Sequence, residues 1–140
     1  MAYQQSFIIS YMNERCGEII IKDGAQVWDH ELRTGKALSA AGYSITFLPK
    51  NNASCESSPD ILLNGLVWEM KSPLSDQAKR IQRTLRRALH QSENIIFDSQ
   101  RIKKLSDAQV LRELRKWVPQ MNHLKHLIYV DKRRNVTVIK

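Results

Sequence analysis

Asp60, Glu69 and Lys71 are the residues of this 140-residue chain whose types and spacing could do chemistry. They lie in the run Ser58-Pro59-Asp60-Ile61-Leu62-Leu63-Asn64-Gly65-Leu66-Val67-Trp68-Glu69-Met70-Lys71-Ser72-Pro73. Asn64-Gly65 is a strong signal for a two-residue hairpin turn. It folds Leu66–Lys71 back on the strand that begins at Asp60. Side chains alternate along a strand, so Glu69 and Lys71 share one face and Met70 takes the other. Asp60, at the open end of the hairpin, is expected close to Glu69. Two carboxylates and an ammonium converging at a sheet edge suit a hard divalent cation, which takes oxygen ligands and keeps several waters; the Met70 carbonyl could add a ligand. Such a metal activates water and stabilises charge building on a phosphodiester. The lysine could hold the attacking water or neutralise the developing phosphorane. The competing reading is a plain surface Glu/Lys pair, worth about 0–1 kcal/mol.

The following segment favours the chemical reading. Lys79, Arg80, Arg83, Arg86 and Arg87 face almost no countercharge beyond Asp76. Arg80, Arg83 and Arg87 fall on one side of a helix, and Gln91 continues that stripe. The apolar stripe Ile81, Leu85, Ala88 and Leu89 points elsewhere. The cations are therefore candidates for phosphate contacts, against the alternative of a solvated face. Charge along the chain points the same way. The net charge is +8 and the pI about 9.7. Residues 1–70 hold five basic against eight acidic side chains, a net of −3, and residues 71–140 hold 17 against six, a net of +11. A basic half of that kind favours a polyanion, nucleic acid first.

The elements that must position these groups follow from periodicity. Phe7–Tyr11 and Glu18–Lys22 are β-prone, with Asp23-Gly24 as a turn after the second. Trp28–Ala41 reads as a helix with Leu32, Leu38 and Ala41 inward and Gly42 as its stop. Ser44–Leu48 is a strand ended by Pro49, and residues 51–58 a polar loop. Asp76 to about Glu93 is expected as a helix and Asn94–Asp98 as a strand. A helix capped by Ser106 or Asp107 runs to about Trp117, with Val110, Leu111, Leu114 and Trp117 inward, before Pro119. Leu124–Asp131 and Val136–Ile139 form a hairpin around Lys132-Arg133-Arg134-Asn135. The fold class is α/β, a mixed sheet flanked by helices. The domain organisation is a single domain over 1–140: a strand-rich extension over 1–27, a catalytic core over 28–100 and a helix and hairpin over 101–140.

Other signals are quiet. Cys16 and Cys55 form no CxxC pair and read as free thiols in a reducing compartment, or as a disulfide if the chain is exported. His30, His90, His123 and His126 have no metal-site spacing, and His123 and His126 read as surface residues. Trp28, Trp68 and Trp117 are expected in packing. There is no Gly-rich phosphate loop, so nucleotide hydrolysis has no support. No apolar run approaches the roughly 20 residues of a membrane span, so stable membrane insertion is not expected. The polar start Met1–Gln5 lacks the features of a signal peptide; a domain cut from a larger secreted protein would lack them too.

Pro59-Asp60 followed by Glu69-x-Lys71 resembles the motif of the PD-(D/E)xK nuclease superfamily. The wider stretches Gly42-Tyr43 to Leu48-Pro49, Ser58 to Gly65, Trp68 to Pro73 and Leu85 to Asp98 resemble, more narrowly, the C-terminal tRNase toxin domains of contact-dependent growth-inhibition (CdiA-type) proteins. The likeness covers residues 30 to 100 well and the tail loosely. It implies an αβββαβ core, a divalent metal (Mg²⁺ first, with Mn²⁺ or Zn²⁺ as alternatives) and cleavage of tRNA in the bacterial cytoplasm after delivery within a larger secreted protein. It also implies a cognate immunity protein, expected to be acidic against this basic chain. By this resemblance Asp60 and Glu69 are metal ligands and Lys71 the catalytic lysine. Glu31 is the acidic residue on the helix before the core strands, although Asp29 competes for that position, and Gln91 is a polar residue near the active site. A DNA endonuclease of the same superfamily and a non-catalytic nucleic-acid-binding module are the alternatives.

Overall fold

In a computed structural model, residues 7–9, 16–50 and 60–140 are described. The polar loop 51–58 and Pro59 fall outside them, as does Cys55; Cys16 is a free, half-buried thiol. The class is mixed α/β, and the chain divides into two compact units, Met1–Trp68 and Glu69–Lys140.

The first unit is built on β1 (Phe7–Ile9), β2 (Ile19–Ile21), α1 (Asp29–Ala40), β3 (Ile45–Phe47), β4 (Ile61–Leu63) and the first half of β5 (Leu66–Lys71). β1 pairs antiparallel with β2, β2 parallel with β3, and β3–β4–β5 form an antiparallel meander. Parallel pairing of β2 and β3 requires a crossover, and α1 supplies it. Asn64 and Gly65 both have positive φ, 53° and 75°, as a two-residue hairpin with this twist requires. The register Phe47↔Ile61↔Trp68 places one row of side chains on one face, and all three are buried. Trp68 Nε1 donates to the Leu63 carbonyl at 3.0 Å, which ties the hairpin to itself. α1 approaches this layer with small residues, Thr34, Gly35, Ala37 and Ser39, around Leu38. A methyl group at Gly35 would meet Ile45 Cδ1 at 2.8 Å, so at this approach of the helix to β3 any side chain there would have to displace the ends of Ile45 and Phe47. Two expectations change here. Leu32 is only half-buried and Ala41 exposed, because the small residues make the contact instead. Trp28 is 63% exposed, since it precedes the first turn of α1 rather than lying on its inner face.

The second unit contains the end of β5, α2 (Lys79–Leu89), β6 (Asn94–Asp98), α3 (Asp107–Trp117), a short 3₁₀ turn (Val118–Gln120), β7 (His126–Val130) and β8 (Val136–Val138). β5, β6 and β7 are parallel, joined by α2 and α3 as crossovers, and β8 returns antiparallel. Ile95, Phe97, Leu127 and Tyr129 form one core with Ile81, Leu85 and Ala88 of α2 and Val110 and Leu114 of α3. Ser106 caps α3 reciprocally with Gln109, at 3.2 and 2.8 Å. α2 begins three residues later than expected. Asp76 does not cap it, because the Asp76 carboxylate accepts the backbone N–H groups of Lys103 and Lys104, both at 2.9 Å. No helix among the described residues is long and apolar enough to cross a membrane.

Candidate active site

Glu69 and Lys71 lie on the half of β5 that pairs with β6, in register with Ile95 and Phe97. Register partners in neighbouring strands carry their side chains on the same face. Ile95 and Phe97 face α2, so Glu69 and Lys71 do as well. Glu69 is 3% exposed, while Lys71 is half-buried. A carboxylate so withdrawn from water is costly without polar partners. With its amide nitrogen turned to the carboxylate, Gln91 donates to both Glu69 oxygens, at 3.2 Å to Oε1 and more closely to Oε2. Gln91 is therefore not on the helical stripe assigned to it. α2 ends at Leu89, and Gln91 belongs to the turn beyond, where its N–H donates to Ala88 O at 2.9 Å. That turn lowers the amide onto β5.

The cations of α2 stand where the periodicity placed them. Lys79, Arg80, Arg83, Arg86 and Arg87 are all exposed, while Ile81, Leu85 and Ala88 on the opposite face are buried.

Asp60 belongs to the first unit. It is buried, its N–H donates to Trp68 O at 3.0 Å, and Leu48 N–H donates to its carbonyl at 3.0 Å, so its backbone is fixed from both sides. Lys50 Nζ lies 4.0 Å from its carboxylate. Glu31 is 8% exposed, and its Oε1 accepts the Trp28 N–H at 3.0 Å, the bond of a residue in the first turn reaching back to cap its own helix. It is thus not a solvated helix charge. His126 is half-buried, with Nδ1 2.6 Å from Asn94 Oδ1, and His123 is exposed.

Among the described residues no three His, Cys, Asp or Glu side chains gather as a protein-only metal cage. The donors at hand are hard carboxylate oxygens. Oxygens of this kind are the donor type that Mg²⁺ takes.

Sequence reading missed the ties between the loops that follow β5 and β6. Arg101 Nε donates to the Ser72 carbonyl at 2.8 Å, and Asp76 holds Lys103 and Lys104. These bonds span 27 to 29 residues and leave no local pattern. The concentration of Arg101, Lys103 and Lys104 in one short loop was the available signal.

A family model of the contact-dependent growth inhibition CdiA C-terminal domain matches residues 57–136, more than half of the chain. The matched span includes Asp60, Glu69, Lys71, α2 and Gln91. Among solved structures, the CdiA-CT/CdiI toxin and immunity complex from Burkholderia pseudomallei is similar, with a TM-score of 0.63 over 86% of this chain and 98% of that one. Identity is 19%, so the likeness speaks for the fold. Comparison with curated proteins gives no match.

Proposed function

Because the chain belongs to the family of contact-dependent growth inhibition CdiA C-terminal domains, we propose that it is a growth-inhibition toxin that hydrolyses tRNA with the help of a divalent metal. The observation that carries the nuclease reading is the buried Glu69, fixed by Gln91, with Lys71 on the same strand face under a helix that exposes five cations. The succession α1-β3-β4-β5-α2-β6 reads αβββαβ and supports the PD-(D/E)xK assignment.

The roles follow from the side chains. Glu69 and Asp60 would hold the metal, and when bound it supplies Lewis-acid polarisation of water and phosphoryl oxygen. The Gln91 amide keeps the Glu69 carboxylate in one orientation. Lys71 places a positive charge where the phosphorus oxygens accumulate negative charge, which lowers the barrier as preorganised charge does elsewhere. Hydrolysis forms one P–O bond to water and breaks one to a ribose oxygen, which leaves with a proton. Arg80, Arg83 and Arg87 hold the flanking phosphates and contribute no sequence preference.

The partner proposed is an acidic immunity protein. A nuclease acting on cytoplasmic tRNA harms its producer, and the B. pseudomallei neighbour was solved as a toxin and immunity complex. The net +11 of residues 71–140 would steer an acidic partner, with a rate that falls as salt rises. Delivery within a larger secreted protein, with action in the recipient cytoplasm, completes the reading. Expression tests it. The wild-type chain should stop growth when made alone, be tolerated with the neighbouring gene co-expressed, and be harmless as Glu69→Ala. Unimpeded growth with active, soluble wild-type chain and no partner would refute the toxin reading.

A further inference from the structure

Open α/β sheets bind ligands beyond the carboxyl ends of their parallel strands. In the second unit, residues 72–78 leave the end of β5 and residues 99–106 the end of β6. Arg101 bridges the two loops through Nε, bonded at 2.8 Å to the carbonyl of Ser72, the residue after Lys71. That bond occupies one of the five N–H donors of a guanidinium. The four on Nη1 and Nη2 meet no protein acceptor among the described residues. Ser72 Oγ is buried and is the one buried side-chain polar atom among the described residues without a hydrogen-bond partner. Folded proteins leave few such groups unmet, and each calls for an explanation. Because Arg101 Nε is bonded to Ser72's own carbonyl, the guanidinium and the unmet hydroxyl belong to the same junction of the two loops. Lys103 and Lys104 in the same loop and Lys79 and Arg80 at the start of α2 are exposed. Asp76, the acidic residue between them, has its Oδ1 engaged by two backbone N–H groups.

We infer that Ser72 and Arg101 form a phosphate clamp: the free edge of the Arg101 guanidinium takes two oxygens of one RNA phosphate, and the Ser72 hydroxyl, covered in the free chain, rotates about χ1 to donate to the same group. Arginine's planar fork suits this bidentate contact, and its anchored Nε fixes the direction of the fork. The clamp fixes the register of the strand past Lys71. It rests on the nuclease reading above and adds two binding residues to it.

The test uses the full chain as the non-cleaving Glu69→Gln variant and a fluorescently labelled tRNA, with anisotropy read from low to high salt. Ser72→Ala removes no internal hydrogen bond, so its melting temperature should stay with the parent while affinity falls about fivefold. Arg101→Ala should weaken binding about tenfold and reduce the slope of log K against log salt by about one. Arg101→Lys should keep the slope but bind more weakly, since one ammonium cannot hold Ser72 and fork onto phosphate. If Arg101→Ala does not fold, Ser72→Ala and Arg101→Lys decide. A purely mechanical latch would lower the melting temperature of the Arg101 variants and leave affinity and slope untouched; that result, with Ser72→Ala binding as the parent does, overturns the clamp alone. A parent that binds no RNA overturns the clamp and the nuclease reading together.

Discussion

Arg134 sits in the turn between β7 and β8 with φ +68°, a left-handed conformation that costs a non-glycine residue about 1 kcal/mol. Its guanidinium forks onto Asp98 at the end of β6, Nη1 to Oδ1 at 2.9 Å and Nη2 to Oδ2 at 2.7 Å. The two ends differ in their access to water: the Asp98 side chain is 1% exposed and that of Arg134 32%. Breaking a buried pair costs about 3–5 kcal/mol, because one charge stays behind unpaired. Arg134→Ala leaves the carboxylate inside, held by the Gln100 N–H at 2.8 Å and amide at 3.0 Å. Asp98→Ala leaves a guanidinium that can turn to solvent and keeps its bond to Asp131 O at 3.1 Å. We therefore expect about 3 kcal/mol for Arg134→Ala and about 2 kcal/mol for Asp98→Ala, scaled down from a fully buried pair by the exposure of the arginine. Arg134→Gly should recover about 1 kcal/mol relative to Arg134→Ala, by relieving the backbone. Urea unfolding followed by far-ultraviolet circular dichroism, on the harmless Glu69→Ala chain, measures all three. Asp98→Ala proving the more damaging change, or Arg134→Gly falling below Arg134→Ala, would refute the reasoning.

Two further outcomes follow. Burial tends to raise the Asp107 carboxyl, but the Ser99 hydroxyl, the Lys132 N–H and the Tyr129 hydroxyl outweigh it and hold the group below its ordinary value. The unfolded chain therefore takes up this proton first, so the stabilisation is full above about pH 4 and is lost as pH falls through the folded value; melting curves of Asp107→Asn should show less loss over that acid range, and parallel curves would count against it. On α2, replacing Arg83 and Arg87 together by Ala should lower the salt dependence of RNA binding by about two, one for each phosphate contact; an unchanged slope would make that face a solvated one.

Local chemistry made much of this legible. Asn64-Gly65 specified the hairpin, and alternation along β5 put Glu69 and Lys71 on one face. Gly42, with φ +98°, ends α1, and Ser106 begins α3, both through backbone groups that only nearby residues can satisfy. What escaped the sequence rests on partners far along the chain. Asp76 stands at the expected start of α2, yet its carboxylate serves Lys103 and Lys104. The Asp98–Arg134 fork joins residues 36 apart, and no periodicity announces it. Trp28 looked like a core residue by type, but it stands at the N-cap of α1, before the helix face that packs on the sheet begins. The placement of Gln91 near the site came from family resemblance; its descent onto Glu69 depends on where α2 stops, at Leu89, about four residues before the expected end near Glu93.

Metal-assisted hydrolysis of RNA at Glu69 is decided by incubating the pure chain with total tRNA, ribosomal RNA and plasmid DNA, with Mg²⁺ or with EDTA, and mapping the ends. Discrete tRNA cleavage is expected that needs Mg²⁺, is lost in Glu69→Ala, Asp60→Ala and Lys71→Ala at unchanged circular dichroism, and spares the plasmid. Cleavage that survives both EDTA and Glu69→Ala would contradict it, and cleavage of plasmid with tRNA untouched would turn the enzyme into a DNA endonuclease.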